Sequence, residues 1–186
     1  TLKNLLMNLN KTWRIIMEIK TIELRNISHY ARGSEETPCY NATVYINGKK
    51  AIEVGNDGHG GCDKQHQYSN EERAIVQQVN KWCIKKFGKK SFTYQTDKEE
   101  KVCSYDIDLE QFCHDELYKW LDTKALKKDL KKSWLFIENK EMRAYTKVKG
   151  EDEEQFQSFF RGKHEKGVLL NNLSFDNALT LYKECA

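Results

Sequence analysis

The chain has 186 residues, 39% of them hydrophobic and 32% charged, a size and balance that suit a globular fold and exclude both a disordered chain and a membrane bundle. Its 31 basic and 28 acidic side chains leave a formal charge of only +3, too small a bias for a dedicated nucleic-acid binder and silent about any partner. Cys39, Cys62, Cys83, Cys103, Cys113 and Cys185 form no CxxC pair and read as mostly free thiols of a reducing cytoplasm, while no run reaches the roughly 18 apolar residues of a spanning helix.

Residues 1–16 carry Leu2, Leu5, Leu6, Leu9, Trp13 and Ile16 at three- and four-residue steps, which line one face of a helix. Three readings stay open for it: a helix docked on the chain's own core, a helix for a partner or membrane surface with Lys3, Lys11 and Arg14 as its charge, or an appended or upstream extension, since Met7 and Met17 both qualify as starts. Residues 17–186 read as a single α+β domain. Met17 to Tyr30, with Ile19, Thr21, Ile22, Leu24 and Ile27, reads as a strand with an irregular end.

Tyr40 to Ile46 alternates apolar and polar residues, Asn47-Gly48 supplies the positive-φ pair of a tight turn, and Lys49 to Val54 returns, a hairpin signature. A glycine-rich loop follows, and Ser69 with Glu72 then forms a capping box for a helix through Ala74, Ile75, Val79, Trp82 and Cys83 that stops at Gly88. Ser91 to Gln95 reads as a strand leading through a charged loop to a long helix over 109–132, capped by Asp108. Trp134 to Ile137, a turn at Glu138 to Glu141, and Met142 to Lys149 make a second hairpin. Acidic residues from Glu151 to Glu154 suit the start of a helix through Phe156 and Phe160, and Ser174 caps a last helix through Ala178 and Tyr182. The expected fold is thus an antiparallel sheet built from two hairpins and packed with three to five helices.

The loop Asn56-Asp57-Gly58-His59-Gly60-Gly61 follows a strand and precedes a helix, so its amides have the setting of an anion cradle, although it matches neither the P-loop nor GxGxxG. On that reading it holds a nucleotide or phosphate for an enzyme, with Asp57 and His59 nearest the chemistry. On the plainer reading Asn56 and Asp57 bond to nearby amides and the glycines only turn the chain. No cofactor is favoured. Zinc on His59, Cys62 and His66, completed by Cys39 or Asp57, and a Cys62 nucleophile with His59 or His66 as base, are the weaker alternatives.

Together, Tyr40 to Lys49 and the Asn56 to Cys62 segment resemble uncharacterised small proteins of bacteriophages, plasmids and bacterial genomes that share an NDGxGG loop after a hairpin. Leu126 to Lys132 and Leu170 to Ser174 fit the same likeness, which spans about residues 38–186 and implies a mobile-element origin without implying a reaction.

Two lysine groups, Lys81, Lys85, Lys86, Lys89, Lys90 and Lys124, Lys127, Lys128, Lys131, Lys132, read as solvated helix faces. Their functional alternative is phosphate contact, with Trp82, Phe87, Phe92 and Tyr94 for stacking. His114 sits beside Asp115 and Glu116, but adjacent helical positions diverge, so it reads as surface or partly buried; His29 and His164 read as structural. The leading expectation is an accessory protein of a phage or mobile element that acts in the cytoplasm by binding, and inhibiting, a host defence or regulatory protein, with affinity carried by surface patches that include the lysine groups with Lys85, Lys86, Lys127 and Lys128, and by the helix over 1–16. An enzyme using Asn56 to Gly61, and a nucleic-acid binder using Lys85, Lys86, Lys127 and Lys128, are the alternatives, and self-association stays open.

Overall fold

A computed structural model describes residues 18–65, 69–96 and 99–185. The expected helix over 1–16 and the candidate ligand His66 lie outside the described residues. The fold is α+β, and every strand pairing in it is antiparallel. By contacts the chain divides into two compact units, the first ending at Leu117 and the second beginning at Tyr118.

The first unit opens with a four-stranded sheet in sequential order: β1 (Ile22–His29), β2 (Tyr40–Ile46), β3 (Lys49–Asn56) and the short β4 (Lys64–Gln65). The β2–β3 hairpin closes as its turn residues require, with φ of 49° at Asn47 and 77° at Gly48. The Asn47 side chain also reaches outside the turn, where its Oδ1 accepts from the amides of Lys20 and Thr21 at 2.8 and 3.1 Å and fixes the entry to β1. The irregular end expected of the first strand is a register shift between Arg25 and Ser28, around Asn26 at φ 55°. Tyr40, Ala42, Val44 and Ile46 of β2 and Ile52 and Val54 of β3 are buried, as the alternation requires.

Helix α1 (Asn70–Phe87) starts on the reciprocal Ser69–Glu72 capping box and ends at Gly88, whose φ is 75°. It buries Val76, Val79 and Cys83. Next, β5 (Lys89–Gln95) pairs with β6 (Glu100–Asp106) in a separate two-stranded ribbon, where a charged loop was expected in place of β6. Helix α2 (Leu109–Lys132) begins where the Asp108 carboxylate accepts from the Gln111 amide at 3.0 Å, and its first turns bury Leu109, Phe112, Cys113 and Leu117.

The second unit holds the rest of α2 and a three-stranded sheet in the order β8 (Glu141–Thr146), β7 (Ser133–Glu138), β9 (Val168–Leu169). Two further helices belong to it, α3 (Glu153–Lys163), capped by Asp152, and α4 (Phe175–Cys185). The period of two along β7 divides the side chains between two clusters. Trp134 and Phe136 pack with Phe156 and Phe160 of α3, while Leu135 packs with Leu126, Leu170, Ala178 and Tyr182. The two expected hairpins therefore exist, but in separate sheets.

Candidate functional site: a buried carboxylate under the glycine loop

The glycine loop is built by inward-facing hydrogen bonds. Buried Asn56 accepts at Oδ1 from the Gly58 amide at 2.9 Å and the Thr37 hydroxyl at 2.7 Å, and donates from Nδ2 to the Gly61 carbonyl at 3.1 Å. The Gly60 amide donates to Thr37 Oγ1 at 3.2 Å. The Gly58 carbonyl in turn accepts from the amides of Glu35, Glu36 and Thr37 at 3.0, 2.9 and 3.3 Å. Gly58 has φ 91°, and a Cβ there would lie 1.8 Å from the Gly33 carbonyl oxygen, so no larger residue fits. Two amides that an anion cradle would turn outward, those of Gly58 and Gly60, are thus bound to the chain's own side chains.

Asp57, His59 and Cys62, the loop's candidates for chemistry, are exposed, and the first two pair locally. Asp57 takes a 2.6 Å ion pair from Lys64, whose hydrogen bond first and charge second hold its carboxyl below the usual range. His59 Nδ1 lies 3.2 Å from Glu35, and Cys62 is exposed. Lys85 and Lys86 are exposed on α1 in the first unit, whereas Lys127 and Lys128 are exposed on α2 in the second. The Lys127 amine sits 5.2 Å above the Phe175 ring.

Beneath the loop lies a group that the sequence reading passed over. The Asp63 side chain is 1% exposed, and its two oxygens are held by three elements. Oδ2 accepts from the Tyr40 hydroxyl of β2; Oδ1 accepts from Asn56 Nδ2 at 3.2 Å and faces His114 Nε2 of α2 at 3.3 Å. The Asp63 amide donates to Glu110 Oε1 at 2.9 Å. Burial works to raise the Asp63 pKa, but the hydrogen bonds from His114 and Tyr40, the His114 charge and Asn56 outweigh it, so the carboxyl lies below its ordinary value. The same bond raises His114 against its own desolvation. Burial, then the bond to Asp63, pushes Tyr40 far up, and burial pushes the neighbouring Cys113 thiol well up.

Glu110 and His114 stand four residues apart on α2, so both project from one face of its first turns toward Asp63. That spacing, read from the Asp108 cap, was the available signal; comparing His114 only with its immediate neighbours Asp115 and Glu116 missed it. Oxygen atoms of Asp63 and Glu110 and a ring nitrogen of His114 lie mutually within 4.8 Å. In the second unit, His164 is buried with Nδ1 3.0 Å from the Glu138 carboxylate and Nε2 2.9 Å from the Tyr145 hydroxyl. Both ring nitrogens are thereby satisfied, the structural role expected of it.

The β5–β6 ribbon is the other unusual surface. Every residue of both strands is exposed, and the register places Lys90, Phe92, Tyr94, Lys101, Cys103 and Tyr105 on one face. Phe92 is 51% exposed, with the rings of Tyr94 and Tyr105 at 6.0 and 6.2 Å from its own. The opposite face carries Ser91, Thr93, Gln95, Glu100, Val102 and Ser104.

Models of protein families, curated proteins and solved structures give no match to this chain. Among the described residues, no helix is long and apolar enough to cross a membrane.

Proposed function

We propose that the protein acts by binding another protein, as a phage- or mobile-element-type accessory factor that occupies a host defence or regulatory protein in the host cytoplasm. The observation that carries this reading is the exposed aromatic face of β5–β6. A lone two-stranded ribbon is marginal in water, and one that keeps Phe92, Tyr94 and Tyr105 on its surface has the composition of an interface core awaiting a partner. The ribbon is also electrically balanced, with four lysines against four carboxylates from 89 to 106. Among the described residues its cations are engaged as well: Lys90 holds Asp115 at 2.6 Å, Lys101 holds Glu99 at 3.2 Å, and Lys89 lies 3.6 Å from Asp106. Aromatic area without net charge suits an apolar cleft on a protein better than a phosphate backbone. The inward bonding of the loop amides also favours this reading over a nucleotide-binding enzyme.

The test compares the wild-type chain with a Phe92→Ser, Tyr94→Ser, Tyr105→Ser variant in affinity capture from host lysate. Loss of a captured protein with the melting temperature unchanged supports the reading, because central aromatic anchors each carry about 2 kcal/mol or more of an interface. Capture that survives these changes, or that collapses between low and moderate salt and needs the lysines, overturns it in favour of a nucleic-acid interface.

A further inference from the structure

From Asp63, Glu110 and His114 we infer a binding site for one divalent transition-metal ion, formed between the end of the glycine loop and the first turns of α2. The donor atoms of the three side chains come within 4.8 Å of one another, and the His114 Nε2 to Asp63 Oδ1 separation is 3.3 Å. Two ligands at about 2.0–2.2 Å from one ion in tetrahedral geometry stand about 3.3–3.6 Å apart. The separation thus matches two neighbouring vertices of such a site as well as it matches a long hydrogen bond.

The surroundings supply what a metal site needs beyond its ligands. Tyr40 on Oδ2 and Asn56 on Oδ1 fix the Asp63 carboxylate. The Glu110 and His114 turn is fixed at its start by the Asp108 cap and by Asn80 Oδ1, which accepts from the Leu109 amide at 2.9 Å. Two carboxylates and one neutral imidazole bring a charge of about −2, matched to a dication, and this mixed oxygen and nitrogen set suits Zn²⁺, Mn²⁺ or Fe²⁺ better than Ca²⁺. Asp63 is buried while Glu110 and His114 are partly exposed, so the remaining coordination positions face water. On binding, the ion replaces the proton between His114 and Asp63 and ties the loop to α2 directly.

The experiment strips the full-length protein with chelator and titrates it with Zn²⁺ alone and Mn²⁺ alone, reading stoichiometry by native mass spectrometry and affinity by calorimetry. Co²⁺ serves as a spectroscopic probe, since bands of a low-symmetry site report coordination directly. The expected result is one ion per chain, with affinity falling at least tenfold in Glu110→Gln and in His114→Gln. Glu110→Gln keeps a carbonyl to accept from the Asp63 amide, so its metal-free fold, checked by circular dichroism, stays intact. His59→Gln and Cys62→Ser leave binding unchanged. Failure of both Zn²⁺ and Mn²⁺ to bind, binding indifferent to Glu110→Gln and His114→Gln, or binding lost with His59 or Cys62 overturns the site. None of these readouts depends on the ribbon, so the site and the binding role stand or fall separately.

Discussion

Gly58 and Asp57 adjoin in the sequence, yet substitution separates their roles. Gly58→Ala forces a Cβ onto the Gly33 carbonyl at a left-handed backbone position, so it is expected to cost at least about 2 kcal/mol and lower the denaturation midpoint. Asp57→Ala removes only a solvent-exposed pair with Lys64 and leaves the midpoint essentially unchanged. Asp63 lies at the other extreme: Asp63→Ala strands the Tyr40 hydroxyl without its acceptor, leaves Asn56 Nδ2 only the Gly61 carbonyl, and is expected to cost about 3 kcal/mol in chemical denaturation. The cysteines sort by the same logic. Cys62 and Cys103 are exposed, while Cys83 and Cys113 are buried, with the Cys83 thiol pushed up to about 12 by burial first and the Asp108 charge second. In the native protein at pH 8, iodoacetamide should modify Cys62 and Cys103 within minutes and reach Cys83 and Cys113 only after unfolding, as adducts counted by intact mass will report.

At the scale of elements, the parts legible in the sequence are those whose local chemistry and burial agree. Asn47-Gly48 fixes one hairpin, the Ser69–Glu72 box and Gly88 bracket α1, and the alternation from Met142 places β8. Ser91 to Gln95 reads as the strand it is, but its partner β6 escaped because it is exposed on both faces, so no buried side imposes a period of two, and Glu100 to Asp106 reads as charged chain. The Asp63 cluster escaped for a different reason. Two of its members are visible as a helical four-residue step, but Asp63 joins them across 47 residues through the fold, which no local pattern records. The ribbon's exposure also predicts its behaviour alone. Val102→Thr, on the polar face, should leave partner capture unaltered, whereas Phe92→Ala should weaken it about thirtyfold, both with little change in melting temperature, measured by biolayer interferometry against the captured partner.

For the whole molecule, the division at Leu117 to Tyr118 places both clusters built on β7 in the second unit and the buried side chains of β2, β3 and α1 in the first, while the residues of α2 fall in both. In the second unit Leu170 is fully buried against Leu126, Leu135, Ala178 and Tyr182, with Asn171 beside it closing polar bonds to the Leu135 amide at 2.8 Å and the Ser133 carbonyl at 3.1 Å. Leu170→Ala therefore opens a cavity worth about 2–5 kcal/mol at one place in the chain. If each unit opens as its own cooperative element, hydrogen exchange read peptide by peptide will accelerate about a hundredfold in β7, α3 and α4 and far less in β2 and β3. A uniform acceleration would instead mean that the two units unfold in one transition. The ribbon lies in the first unit, so the first outcome carries a further consequence: Leu170→Ala should destabilise the protein while leaving partner capture intact, separating the unit that binds from the unit that does not.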